Sequence, residues 1–64
     1  MKIGSVKMWN SNQGWGFIEC SDGVDYFLNI SEVRSGQKIN QGVRVKFDVE
    51  QGHRGPSATN VTLY

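Results

Sequence analysis

Gly14-Trp15-Gly16-Phe17-Ile18-Glu19-Cys20 is the stretch whose reading decides the fold. In an extended strand successive side chains point to opposite faces. Trp15 and Phe17 therefore share one face, while Gly16, Ile18 and Cys20 turn to the other. Both faces carry apolar groups, so one of them must serve something other than the core. Asp25-Tyr26-Phe27-Leu28-Asn29-Ile30 repeats the arrangement, with Phe27 and Asn29 opposite Tyr26, Leu28 and Ile30. If the two strands pair, Trp15, Phe17 and Phe27 form an aromatic platform beside a polar residue. Such a surface suits stacking on unpaired nucleobases.

Working outward, short runs rich in Val, Ile, Phe, Trp and Tyr lie between polar turns. Eight glycines and Pro56 leave no window for a capped amphipathic helix, so the class is all-β. The predicted strands cover about 2–10, 15–20, 24–30, 43–50 and 57–63. Neither face of the first is cleanly apolar at its end, which predicts a bulge or strong bend within residues 7–10. Residues 10–14 form a polar turn, and Ser21-Asp22-Gly23 a tight hairpin turn. Residues 31–34 make one helical turn with Ser31 as its cap. Val43, Val45, Phe47 and Val49 alternate with Arg44, Lys46, Asp48 and Glu50, giving an apolar face and a solvated charged face. Residues 51–56 are a basic loop. The expected core is Val6, Ile18, Tyr26 or Leu28, Val33, Val45, Phe47, Val49 and Val61. A five-stranded antiparallel barrel of the oligonucleotide-binding type (OB-fold) accommodates this order, and closure removes exposed strand edges.

Length and composition set bounds. Sixty-four residues make a single domain, 1–64, that buries only about 60% of its unfolded surface. One cysteine excludes an intrachain disulfide, and one cysteine with one histidine excludes a dedicated Cys/His zinc site. Cys20 reads as a small core hydrophobe. No metal or other cofactor is expected. No apolar run approaches the roughly 18 residues of a transmembrane helix, and there is no signal peptide, so a cytoplasmic protein without membrane contact is expected. The net charge of +1 is too small to argue for nucleic-acid binding by itself. Catalysis has no support: the acids are scattered, and His53 sits alone in a Gly-rich loop.

Gly14-Trp15-Gly16-Phe17-Ile18 resembles the first ribonucleoprotein motif of the bacterial cold-shock proteins, and Tyr26-Phe27-Leu28-Asn29-Ile30 resembles their second. Lys7, Asn10-Ser11, Gly42, Gly52, Arg54-Gly55-Pro56 and Ala58-Thr59-Asn60-Val61 match the family in order and spacing, so the resemblance spans nearly the whole chain. It implies a five-stranded cold-shock-type barrel that binds single-stranded RNA and DNA and acts as an RNA chaperone, with a part in the cold-shock response or in regulating transcription and translation. The ligand surface it implies is Lys7, Met8, Trp9, Asn10, Gln13, Trp15, Phe17, Phe27, Asn29, Ile30 and Arg54. The chain departs from the family pattern at five places. Met8 stands for an aromatic, Gln13 for a lysine, Asn29 for a histidine and Ile30 for a phenylalanine. The loop 35–42 is about two residues short and lacks an aromatic. Each change removes a π face or a positive charge, and weaker binding or a shifted base preference is expected.

Each candidate has a plainer alternative. Trp15, Phe17, Phe27 and Trp9 are core residues or stacking platforms. Lys7 and Arg54 are solvated charges or phosphate and base contacts, and Arg54 can stack its guanidinium plane on a base. His53 is a solvated loop residue or a base contact. Asn10 and Asn29 either read base edges or settle turns. A second functional reading makes the barrel a protein-interaction or dimerisation module, with Met8, Trp9 and Ile30 as its apolar patch. A monomer is expected, and a strand-exchanged dimer is the alternative.

Overall fold

The computed structural model describes residues 1–64. Five strands follow one another: β1 (Lys2–Asn10), β2 (Trp15–Cys20), β3 (Asp25–Asn29), β4 (Arg44–Gly52) and β5 (Gly55–Leu63), with a 3-10 turn at Ile30–Glu32 after β3. They close into a barrel in the order β1-β2-β3-β5-β4. No helix is long and apolar enough to cross a membrane. The all-β barrel matches the sequence expectation, with one correction to its antiparallel character. The β3–β5 junction is parallel, through Phe27 and Ser57, and Val33 bridges Val61 in the same sense. An odd-membered ring of strands cannot alternate direction throughout, so one junction must run parallel.

The apolar parities of β2 and β3 point inward as their spacing requires. Gly16, Ile18 and Cys20 are buried, as are Tyr26 and Leu28. With Val6, Ile39, Val45, Phe47, Ala58 and Val61, these side chains fill the barrel. The Cys20 thiol lies against the Ile3 carbonyl at 3.5 Å, as a core hydrophobe.

Two expected core positions are corrected. Val49 keeps the inward parity of Val45 and Phe47 but is 41% exposed. The β1–β4 pairing ends at Lys2 and Phe47, so beyond that point β4 pairs only with β5 and the hairpin projects past the barrel. Val33 is half-buried and packs against the rim of the core. Ile39 and Ala58 take up core volume instead. Ile39 comes from the otherwise polar 34–43 segment, which is tied back by Arg34 N–H to the Val61 carbonyl and Gly42 N–H to the Val6 carbonyl. Ala58 and Val61 have opposite parity and are both buried, because Asn60 adopts φ 52° and β5 carries an extra residue opposite Phe47.

Two connections differ from expectation. The 51–56 loop is a continuous hairpin: β4 runs to Gly52, β5 starts at Gly55, and only His53-Arg54 turn, with Gly55 at φ 98°. The cap of the 3-10 turn is Asn29, whose Oδ1 accepts from Ser31 N–H at 3.0 Å. Extended backbone at Asn29 places its amide over the turn, whereas Ser31 is already inside it.

Candidate nucleic-acid interface

A bulge in β1 decides what faces the solvent on this side. The β1–β2 register passes from Val6 opposite Ile18 to Met8 opposite Phe17, so Lys7 is the extra residue. Without it, Met8 would share the inward parity of Val6. With it, Met8 and Asn10 stand beside Phe17 and Trp15 on the outer face, and Trp9 falls opposite Gly16. Trp9 packs against the core. The expected bulge is therefore present, and its consequence is a correction: the structure brings Met8, not Trp9, to the platform, and Trp9 does not join Met8 and Ile30 in one apolar patch.

Gly16 makes this arrangement possible. A Cβ at that position would lie 2.1 Å from the Met8 carbonyl oxygen and 2.8 Å from Cε3 of Trp9. The absent side chain lets β1 approach and gives the Trp9 indole its seat.

Trp15, Phe17 and Phe27 form one cluster on the outer face of β2 and β3. Phe17 and Phe27 are direct cross-strand partners with ring centroids 5.9 Å apart. Trp15 and Phe27 are 6.5 Å apart with planes inclined by only 24°, and Trp15 meets Phe17 edge-on at 6.2 Å. All three rings are half-buried, each keeping some surface for a ligand. Met8 and Ile30 extend the apolar surface and are 39% and 48% exposed. Ile30 is held against Gly14, whose carbonyl accepts its N–H at 2.8 Å. The exposed surface of these rings can stack on bases, and the methionine and isoleucine supply contact without a π face.

The polar candidates divide by what already occupies them. Gln13 Oε1 accepts from Trp15 Nε1 at 2.9 Å, which fixes the indole edge. Asn10 Oδ1 accepts from Gln13 N–H at 3.1 Å, and Asn29 Oδ1 caps the 3-10 turn. Both asparagines thus settle local turns through their carbonyl oxygens and keep their amide N–H groups as donors. Lys7 bonds Asp25 Oδ2 at 2.9 Å and lies 4.0 Å from Glu19. Those carboxylates raise its pKa, the Asp25 hydrogen bond most of all, and also neutralise its attraction for phosphate. Arg54 reaches from the hairpin tip and sets its guanidinium carbon 5.0 Å above the centre of the Phe27 ring. This cation–π contact lies on a stacking face. His53 shares the tip and is exposed.

A groove of about 170 Å³ beside Phe27 was not legible in the sequence. Glu32, Glu50, Ser57 and Thr59 line it together with Asn29. It exists because β5 runs parallel to β3, a pairing between residues 30 positions apart (Phe27 and Ser57). The alternation of β4 marks Glu50 as solvent-facing, and nothing in the chain's local pattern says which neighbour it meets.

The family described as "Cold-shock" DNA-binding domain matches residues 2–64 of the chain. Cold shock protein 2 of Lactiplantibacillus plantarum is 44% identical over 63 residues, covering 95% of this chain and 96% of that protein. Cold shock protein CspC of Bacillus subtilis is likewise 44% identical over 63 residues, with the same 95% and 96% coverage. Among solved structures, drosophila Unr CSD456 superposes with a TM-score of 0.83 over 98% of this chain and 26% of that chain, at 22% identity. That last likeness concerns the fold.

Proposed function

The chain belongs to the cold-shock DNA-binding domain family, whose members bind nucleic acid and are not enzymes, and from this premise we propose that it is a passive RNA chaperone. Its rings Trp15, Phe17 and Phe27 take successive unpaired bases, Arg54 closes over the base at Phe27, and Met8 and Ile30 give apolar contact at the margins. A bound single strand cannot pair, so weak hairpins shift to the open form by mass action and without ATP. The observation that carries the reading is the outward cluster of three rings within 6.5 Å of one another on a barrel whose core is already complete without them.

The test is hairpin opening. A short RNA hairpin labelled with a fluorophore and quencher brightens as the protein is added, and Phe17→Ala shifts the midpoint upward. Loss of one stacked base costs about 1–3 kcal/mol, so the shift is about fivefold to 150-fold. An unshifted midpoint removes Phe17 from the binding surface and the stacking mechanism with it.

A further inference from the structure

The positive charge of this chain lies away from its aromatic platform. Around the rings, Lys7 and Arg54 are outnumbered by Glu19, Asp25, Glu32 and Glu50, and Lys7 is already paired. Arg34, Lys38, Arg44 and Lys46 make no ion pair with any carboxylate. Arg44 and Lys46 share the outer parity of β4, which is bonded to β1 and β5 and not to β2 or β3.

A groove of about 500 Å³ opens on this side, lined by Arg34, Gln37, Lys46, Asn60 and Thr62 with apolar flanks. No carboxylate lines it; Asp48 is tied to it only through the Asn60 amide at 3.4 Å. Its groups are donors. Arg34 spends one N–H on Asn60 Oδ1 at 3.4 Å, a long bond. Gln37 Oε1 accepts from Leu63 N–H at 2.9 Å, which leaves its amide N–H groups for a ligand. Guanidinium, ammonium and amide donors without a competing acid make a phosphate site by chemistry.

We propose that this β4–β5 groove binds phosphates of a nucleic-acid backbone, as a second contact for a strand whose bases stack on the platform. The inference rests on the stacking reading for the identity of its ligand. Screening gives it a mechanical content: the Debye length is about 10 Å at 0.1 M salt, and the molecule measures 25 × 24 × 18 Å. Cations on β4 act on a strand only where the strand reaches them. A short oligonucleotide therefore sees the platform alone, and a long one wraps onto the groove.

The experiment compares the intact chain with its Arg34→Gln/Lys46→Gln variant. End-labelled oligothymidines of about 4 and about 20 nucleotides bracket the span of about 4–16 occupied by one barrel of this kind. Affinities are read by fluorescence anisotropy across a salt series. The short strand is expected to bind both proteins equally. The long strand is expected to bind the variant about 20-fold more weakly near 0.1 M salt, with a salt slope smaller by about 1.4, because each neutralised phosphate of a single strand contributes about 0.7. Lys38→Gln, an equal loss of charge outside the groove lining, is expected to cost less than Lys46→Gln alone. The proposal is overturned if the double variant keeps the parent's affinity and slope for the long strand, or if Lys38→Gln weakens binding as much as Lys46→Gln. If the short strand binds neither protein and the long strand still depends on Arg34 and Lys46, the stacking reading falls and the groove stands.

Discussion

Position 8 shows how one side chain sets the strength of a stacking surface. Met8 lies directly opposite Phe17, 39% exposed, and gives the platform volume without a π face. Replacing it by tryptophan adds a ring at the margin of the cluster and leaves the core untouched. Met8→Trp is expected to tighten binding of a short single strand by about 1–3 kcal/mol, measured by titration. Unchanged affinity would place position 8 outside the ligand's path. Neighbouring Trp9 carries the larger ring but packs against the core, because the extra residue at Lys7 turns it inward. Aromatic content alone therefore does not rank these two positions; direction does.

At the scale of the elements, the β1–β2 contact depends on Gly16. Gly16→Ala would push a methyl into the Met8 carbonyl at 2.1 Å and the Trp9 ring at 2.8 Å. A flexible side chain can move aside, but the backbone carbonyl belongs to the ladder. The variant is expected to lose about 1–3 kcal/mol of stability or more, seen as a lower midpoint in urea. A midpoint equal to the parent's would mean that β1 does not approach as closely as described. This contact also marks what the sequence could and could not disclose. The parity of Trp15, Phe17 and Phe27 follows from a period of two, and so does the burial of Gly16, Ile18, Leu28, Val45 and Phe47. The existence of the β1 bulge was legible from the breakdown of that period. Its exact residue was not, because the register is set by β2. The bulge at Asn60 is of the same kind: it lets Ala58 and Val61 face inward together, which alternation forbids. Val49 and Ile39 depart from the local pattern for a related reason, since one strand outruns its neighbour and one polar loop folds its single apolar residue under. The acids beside Phe27 are not legible in the sequence, because the parallel β3–β5 contact leaves no local trace.

For the whole molecule, one polar clamp makes stability depend on pH. Asp22 accepts from Val24 N–H at 2.9 Å, from the hydroxyl of the buried Tyr26 at 2.8 Å, and pairs with Lys2 at 3.1 Å. These partners, the Val24 N–H first, lower its pKa from 3.8 to about 2. A carboxylate held below its unfolded value stabilises the fold above that value, and this contribution is lost as pH falls from about 4 to about 2. Tm is therefore expected to decline across that window, and Asp22→Asn to lower Tm at neutral pH while flattening the decline. An equal acid slope in parent and variant would remove Asp22 as its source. The same hydrogen bond raises the pKa of Tyr26 above 10.0, so its stabilisation is complete below that value and is lost in strong alkali. This clamp joins the start of β1 to the β2–β3 turn, so the platform strands are held together at one end by a group outside the platform itself.

The account turns on which rings meet the ligand, and its two tryptophans allow a direct reading. Trp9→Phe leaves Trp15 as the sole indole, and Trp15→Phe leaves Trp9. Each variant is titrated with a short oligothymidine while tryptophan emission is followed. Saturable quenching of Trp15 with little change at Trp9 is the predicted result. Quenching of Trp9 with Trp15 unaffected, or of neither, would contradict a binding surface built on Trp15, Phe17 and Phe27.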